Sequence, residues 1–267
     1  MTTVAVVTGA ARGVGRGTAL VLAEAGATVY LTDRESRDRR YSELPGTVED
    51  TAEQVDERGG RGIPVPLDHT DDAAVAALFE RVRAEHGGLD LLVANAFNGN
   101  ALPFRSGPFW TLPLEHWRNM FDNGVRGHLV AAWHAAPLLI ERKGLLVFTG
   151  LAQPGAEVIA NHLFYDLAMT SVSRLAHDAA HDLRPHGVTA LAVSPGFTRT
   201  EAIMAAFGGG RPPGSDSIEF PGRAVRALLE DPQVSRHAGR TITVADLAAE
   251  YGLTDVDEDV PSGAGRP

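Results

Sequence analysis

The chain alternates short, uniformly apolar runs with longer segments in which apolar residues recur three and four positions apart. The first kind comprises TVAVVTG (3–9), ATVYLTD (27–33), GIPVPLD (62–68), LDLLVAN (89–95), GLLVFTG (144–150), VTALAVSPG (188–196) and RTITVA (240–245). Runs that are apolar throughout, rather than alternating, predict strands covered on both faces of a parallel sheet. The second kind predicts helices over 13–25, 47–58, 71–86, 114–140, 161–183 and 219–230. TDDAAVAALFERVRAEHGG marks both ends of its helix, with a Thr/Asp start and closing glycines. Strand–helix alternation with right-handed crossovers predicts an α/β fold, a single Rossmann-type doubly wound parallel sheet of about seven strands with helices on both faces.

The length of 267 residues suits one large domain over 1–254. Two long loops, at about 96–113 and 197–218, leave the carboxyl ends of strands, where such sheets bind ligands. The tail DVDEDVPSGAGRP (255–267), rich in Gly, Pro and acid, is expected to be disordered, and GGGRPPGSDS (208–217) has a similar composition. A net charge of −10 argues against nucleic acid, whose phosphates require clustered Lys and Arg. With no cysteine, disulfides, thiolate nucleophiles and Cys-based zinc sites are excluded. MTTVAVVTGAARG has no basic leader, and no segment approaches a membrane span, so a cytoplasmic protein without a membrane partner is expected.

TGAARGVG (8–15) lies between the first strand and the first helix. Gly9 permits a sharp turn, Gly13 lets backbone approach a pyrophosphate, and Gly15 lets the helix pack against the strand. Val14 and its neighbours then present helix N–H groups to the phosphates. Asp33 closes the second strand at about the distance where a carboxylate meets the adenosine ribose, which favours NAD. Arg12 and Arg34 could instead clamp a 2′-phosphate, so NAD and NADP both stay open.

These motifs resemble the short-chain dehydrogenase/reductase family over about residues 3–253. TGAARGVG matches the family's TGxxxGxG, and VANA (93–96) stands for NNAG with Asn95 and Ala96 kept and Phe97 for the glycine. SPGFTRT (194–200) matches its PG motif. The resemblance implies that Asp68 holds the adenine amino group and that Thr200, after Pro195 and Gly196, contacts the nicotinamide carboxamide. FW (109–110), RGH (126–128) and ADLAAEYG (245–252) are similar to a bacterial subgroup related to mammalian DHRS-type dehydrogenases. It also implies a homodimer or homotetramer through the helices at 114–140 and 161–183.

The family's chemistry rests on Asn, Ser, Tyr and Lys, the last two as YxxxK. In LFYDLAMTSVSRLA, Tyr165 holds the tyrosine position, but Met169 stands where the lysine belongs. Gly150 and Leu151 stand where the serine belongs, with Thr149 and Gln153 the nearest polar substitutes. Gly124 takes the asparagine position, with Asn123 one residue early. Without a neighbouring charge the phenol returns towards a pKa of about 10, a poor base but a usable acid.

The leading reading is therefore an NAD(P)-dependent reductase of a carbonyl, enone or imine, with Tyr165 as proton donor. The alternatives are a non-redox enzyme (dehydratase, isomerase or cyclase), in which Tyr165, Asn161 or His162 moves protons, and a catalytically silent nucleotide-binding homologue. His162, one turn before Tyr165, titrates in the useful range, although a histidine at a helix start is commonly a surface or capping residue. Phe97, Phe104, Phe109, Trp110, Phe197, Met204 and Phe207 line the two loops and point to an apolar small-molecule substrate. His177 and His181, at i and i+4, superficially resemble a zinc helix, but no third ligand is evident and no metal site is expected. RESRDRRY (34–41) is expected to be a solvated loop from which only Arg34 reaches a cofactor.

Overall fold

The computed structural model describes residues 2–103, 105–152 and 162–256. Among them, strands β1 (Val4–Thr8), β2 (Thr28–Asp33), β3 (Arg61–Pro66), β4 (Leu91–Ala94), β5 (Leu145–Thr149), β6 (Thr189–Ser194) and β7 (Thr241–Thr243) form one sheet. Its order is β3-β2-β1-β4-β5-β6-β7, and every pairing is parallel. The order reverses between β1 and β4, so their carboxyl ends open a crevice, the place where doubly wound sheets hold ligands.

Two apolar layers flank the sheet. Val6, Leu92, Leu146 and Phe148 face one side, under α3 (Asp72–His86), α5 (Gly127–Arg142) and α6 (Leu163–Leu183). Val7, Val93, Val147 and Val193 face the other, under α1 (Gly13–Ala23), α2 (Val48–Glu57), α8 (Glu219–Glu230) and α9 (Val244–Tyr251). Burial on both faces is why these strands are apolar throughout. The helix starts follow side-chain capping: Thr47 accepts from the Asp50 N–H, and Asp71 from those of Ala73 and Ala74. Gly87, left-handed at φ 70°, ends α3.

Three elements differ from the sequence expectation. The segment expected as one helix over 114–140 is a short α4 (Glu115–Trp117), a π-helical stretch Arg118–Arg126, and then α5. The 240–245 segment is strand only to Thr243, whose hydroxyl accepts from the Asp246 N–H and opens α9 at once. A further helix, α7 (Glu201–Ala206), lies inside the second long loop. At the start of the expected tail, Asp255 accepts from the Ser217 N–H and hydroxyl, fastening that loop's far end; 257–267 lie outside the described residues.

The closest helix contact sets a firm constraint. A Cβ on Gly17 would lie 1.8 Å from the Ile218 carbonyl oxygen, because α1 and α8 meet backbone to backbone there. Gly17→Ala is expected to cost about 1–3 kcal/mol of stability, as overpacking does, measured by denaturant unfolding. An unchanged unfolding midpoint would contradict the α1–α8 contact.

Candidate cofactor and active site

The turn after β1 is tied to the end of β4. The Thr8 hydroxyl accepts the N–H groups of Asn95 and Ala96, at 2.8 and 2.9 Å. The Asn95 side-chain amide donates to the carbonyls of Thr8 (2.9 Å) and Gly9 (3.2 Å). Gly9 is left-handed (φ 67°), and a Cβ there would sit 2.8 Å from Ala96 Cα. A Cβ on Gly15 would sit 2.2 Å from the Gly9 carbonyl oxygen. Neither position admits a side chain, so the turn is a backbone cradle built for close approach. Arg12 precedes α1 in extended conformation and gives no side-chain cap. The Gly13 N–H donates to Glu201 Oε2 at 2.7 Å, which leaves those of Val14 and Gly15 at the helix start to meet an anion. The cradle thus fits a dinucleotide pyrophosphate, with Val14 and Gly15 as its donors.

The second long loop folds over this cradle. Beyond Pro195 and Gly196 (φ 79°), Thr200 caps α7 by accepting from the Ile203 N–H, and its Cγ2 lies 3.2 Å from where a Gly13 Cβ would be. Glu201 Oε1 also pairs with Arg16 at 3.3 Å. Glu201 escaped the sequence reading; its signal was an acid directly after a capping threonine. Beside it, Met204, Arg199, Pro45 and Ile218 line a cavity of about 480 Å³.

At the adenosine end, Asp33 accepts from the N–H groups of Ala11 and Glu35, and its burial pushes the carboxyl upward. Arg12 turns its guanidinium into the loop after β2. Its guanidinium donates to Pro45, Leu44 and Gly46 carbonyls, the Ser42 hydroxyl and Glu35, engaging the five donors an arginine has. Glu35 is itself buried and also takes Arg40 and the Tyr41 N–H, which anchors the start of the charged loop after β2, while residues 37–41 are exposed to solvent as expected. Arg34 donates to Asn98 Oδ1 at 2.7 Å and lies over the Tyr41 ring. Asp68 is held below the usual carboxylate range, despite its burial, by the Thr70 N–H and hydroxyl.

Tyr165 stands in the first turn of α6, partly buried, and burial pushes its phenol pKa up. Four residues on, Met169 is 6% exposed, packed with Leu112, Met120, Phe164 and Ala168. Phe97 meets Tyr165 edge to face at 6.0 Å. The same ring lies against Gly124, where a Cβ would be 2.6 Å from Phe97 Cδ2. Position 124 therefore faces the site, whereas Asn123 sits half-buried one residue away in the π-helical stretch.

A model of the Enoyl-(Acyl carrier protein) reductase family matches residues 9–215. The chain is 36% identical over 274 residues to "Dehydrogenase/reductase SDR family member 1" of Mus musculus, covering 95% of this chain and 83% of the relative. This chain belongs to the short-chain dehydrogenase/reductase family. A bacterial relative, the "Cis-4-hydroxycyclohexanecarboxylate dehydrogenase" of Sinomonas cyclohexanicum, is 34% identical over 200 residues, 75% of each chain. Among solved structures, a putative dehydrogenase from Xanthomonas campestris superposes with a TM-score of 0.81 at 24% identity, over 96% of this chain and 93% of that one. A metagenomic short-chain oxidoreductase in complex with NADP superposes with a TM-score of 0.71 at 25% identity, over 90% and 96%. The family's cofactors are the nicotinamide dinucleotides, which the cradle fits.

Of the polar substitutes considered for the family's serine, Thr149 lies on the wrong face. It is paired in register with Val193, which packs under α1 and α8, so the pleat turns Thr149 away from α6. A side chain at Gly150 would instead meet Val172 and Ser173 of α6, at no less than 3.4 Å. Gln153 and Asn161 lie outside the described residues, as does Phe104. His162 is fully buried rather than at the surface, and its Nδ1 caps α6 by accepting from the Tyr165 N–H. That bond commits Nδ1 to holding the tyrosine's helix turn. His177 Nδ1 sits at the Gly239 carbonyl while His181 pairs with Asp182, so the two do not converge on one point.

Behind the cradle, His69 and His128 are buried together. His69 Nε2 pairs with the Thr32 hydroxyl (2.7 Å), and His128 Nε2 with the Ala96 carbonyl (3.0 Å). Burial pushes their pKa values down, to about 4 and about 3. Both are neutral when folded yet take a proton near pH 6.5 when unfolded, so their contribution is complete above that pH and is lost as pH falls towards 3–4. Below pH 6.5 the slope is on the order of 1.4 kcal/mol per pH unit for each histidine. His128→Gln is expected to flatten the acid limb of stability against pH in chemical denaturation; an unchanged limb would contradict the burial of His128 as a neutral group.

Proposed function

We propose that the chain is an NADH-dependent short-chain reductase of a carbonyl, enone or imine in an apolar small molecule, with Tyr165 as the proton donor. The observation that carries this is a partly buried phenol whose pKa burial pushes upward and, one helical turn on, a methionine packed among apolar side chains. Such a phenol keeps its proton at neutral pH, so it holds an acid to give and no base to take one. Bound nicotinamide cofactor would supply the hydride. The chain's own groups do the rest. The cradle of Gly9, Gly13, Val14 and Gly15 fixes the phosphates, Asn95 holds the cradle to β4, and Tyr165 delivers its proton to the substrate heteroatom.

NADH rather than NADPH is supported by Arg12, whose donors are engaged within the loop after β2, and by Asp33, whose carboxylate would repel a 2′-phosphate. Asp68 would hold the adenine amino group, and Thr200 the carboxamide. An apolar substrate is supported by Phe97 and Phe197 near the crevice, and by relatives named for cyclic substrates, such as the "(-)-trans-carveol dehydrogenase" of Rhodococcus erythropolis. A homo-oligomer through α5 and α6 is supported by Leu129 and Trp133 on α5 and Leu167 on α6, all well exposed. No helix among the described residues is long and apolar enough to cross a membrane.

Steady-state assays with a panel of apolar ketones, enones and imines are expected to show NADH consumption, with kcat/KM for NADH at least about tenfold above that for NADPH. Tyr165→Phe is expected to lower kcat by about 10²–10⁴. Turnover without loss of nicotinamide absorbance would favour a dehydratase, isomerase or cyclase instead, and dinucleotide binding with no turnover a silent homologue. The combined change Gly150→Ser and Met169→Lys restores the hydroxyl and the ammonium of the family pattern. It is expected to raise alcohol oxidation at neutral pH by at least about tenfold, by lowering the phenol pKa. No gain would contradict the account of Met169.

A further inference from the structure

Two departures from the family pattern, widely separated in sequence, occupy the same space. Phe97 replaces the glycine of the NNAG motif, and Gly124 replaces the catalytic asparagine of the helix that enters α5. The Phe97 ring lies where a Gly124 side chain would begin, 2.6 Å from its Cβ position, and 2.1 Å from the Cβ position of Gly99. Either glycine replaced by any other residue would collide with the ring, so the large residue is admitted only because its two neighbours are small. The ring meets Tyr165 in an edge-on arrangement, centroids 6.0 Å apart at an interplanar angle of 71°, and Phe97 remains 37% exposed. The backbone around Gly124 is π-helical, a geometry that widens the helix locally and recurs at functional sites.

We propose that Phe97 is the specificity-determining wall of the Tyr165 site, selecting a substrate whose reactive carbon carries a flat, unsaturated group, aryl or conjugated alkenyl, over one carrying a puckered, saturated ring. Several observations converge on this. A fixed aromatic ring offers a flat partner a packing surface in stacked or edge-on geometry. A saturated ring of the same carbon count is thicker and must approach the Tyr165 hydroxyl past the same fixed edge. Retreat of Phe97 is blocked by the Gly99 and Gly124 backbones on two sides and by Tyr165 on a third. The selection differs from the saturated rings in the names of several relatives, such as the "Cyclohexanol dehydrogenase" of Rhodococcus sp.. The filled space also removes the polar side chain that the family places beside the tyrosine, consistent with the upward push that burial gives the phenol pKa.

The inference rests on the reading of Tyr165 as the substrate-facing acid, and its test is a binding measurement that needs no turnover. Acetophenone and cyclohexyl methyl ketone, equal in carbon number and differing in the flatness of one ring, are titrated calorimetrically into the protein saturated with NAD. Wild type is expected to bind acetophenone at least about tenfold more tightly, and Phe97→Ala to reduce that ratio to near one. Gly124→Ala is expected to weaken both ligands by pushing the ring into the site, and the double variant Phe97→Ala/Gly124→Ala to regain the affinity of Phe97→Ala alone. NAD affinity serves as the control for folding and is expected to stay unchanged across the set. A wild-type ratio near one, a ratio that survives Phe97→Ala, or a Gly124→Ala protein indistinguishable from wild type would overturn the proposal. Failure of the reductase reading itself would show differently, as selective ketone binding without NADH consumption.

Discussion

The site depends on one close approach, the backbone of the glycine turn against the end of β4. Thr8 accepts two N–H groups from β4's end, Asn95 returns two bonds to the turn, and Gly9 sits where a Cβ would be 2.8 Å from Ala96. This contact spans the point where the strand order reverses, so it fixes the opening between β1 and β4. It also orients α1, whose first turn directs its N–H groups and positive dipole end into that opening. Residues as distant as Glu201, Phe97 and the loop holding Arg12 then take their positions against this frame.

Around the frame the two ends of the crevice have different chemistry. The adenosine end is rich in charge, but the charge is paired internally: Arg12 and Arg40 with Glu35, and Arg16 with Glu201. Beside these pairs lie the Asp33 carboxylate, held by the Ala11 and Glu35 N–H groups, and Arg34, which donates to Asn98. The Tyr165 end is lined by apolar groups, with Met169 in an apolar cluster and the Phe97 ring against Gly124. Burial in such surroundings pushes the Tyr165 phenol pKa upward, and the proposed role of Tyr165 as a proton donor rests on that neutral form.

The strands, their burial on both faces and the glycine turn were legible in the sequence because each is a local pattern of period, apolarity or φ freedom. The register of Thr149 was not, since it follows from pairing with Val193, more than forty positions on. The acceptors of Arg12 at Ser42, Leu44, Pro45 and Gly46 were not legible either, because they are set by a loop fold that leaves no periodic trace. Phe97 and Gly124 each read as a loss from the family pattern; only in three dimensions do they become one exchange of volume. The π-helical stretch was hidden for the same reason, because its apolar spacing mimics an ordinary helix while its geometry answers to packing against Phe97 and α6.

The central claim is that the cradle between β1 and β4 grips a nicotinamide dinucleotide through the backbone at the start of α1. Hydrogen–deuterium exchange with and without saturating NADH tests it most directly. The account predicts added protection in the segments around 8–16, 33–35, 67–70, 95–97 and 195–201, with the Val14 and Gly15 amides among the most slowed. Exchange in those segments that is unaltered by NADH, or protection only elsewhere on the surface, would contradict it.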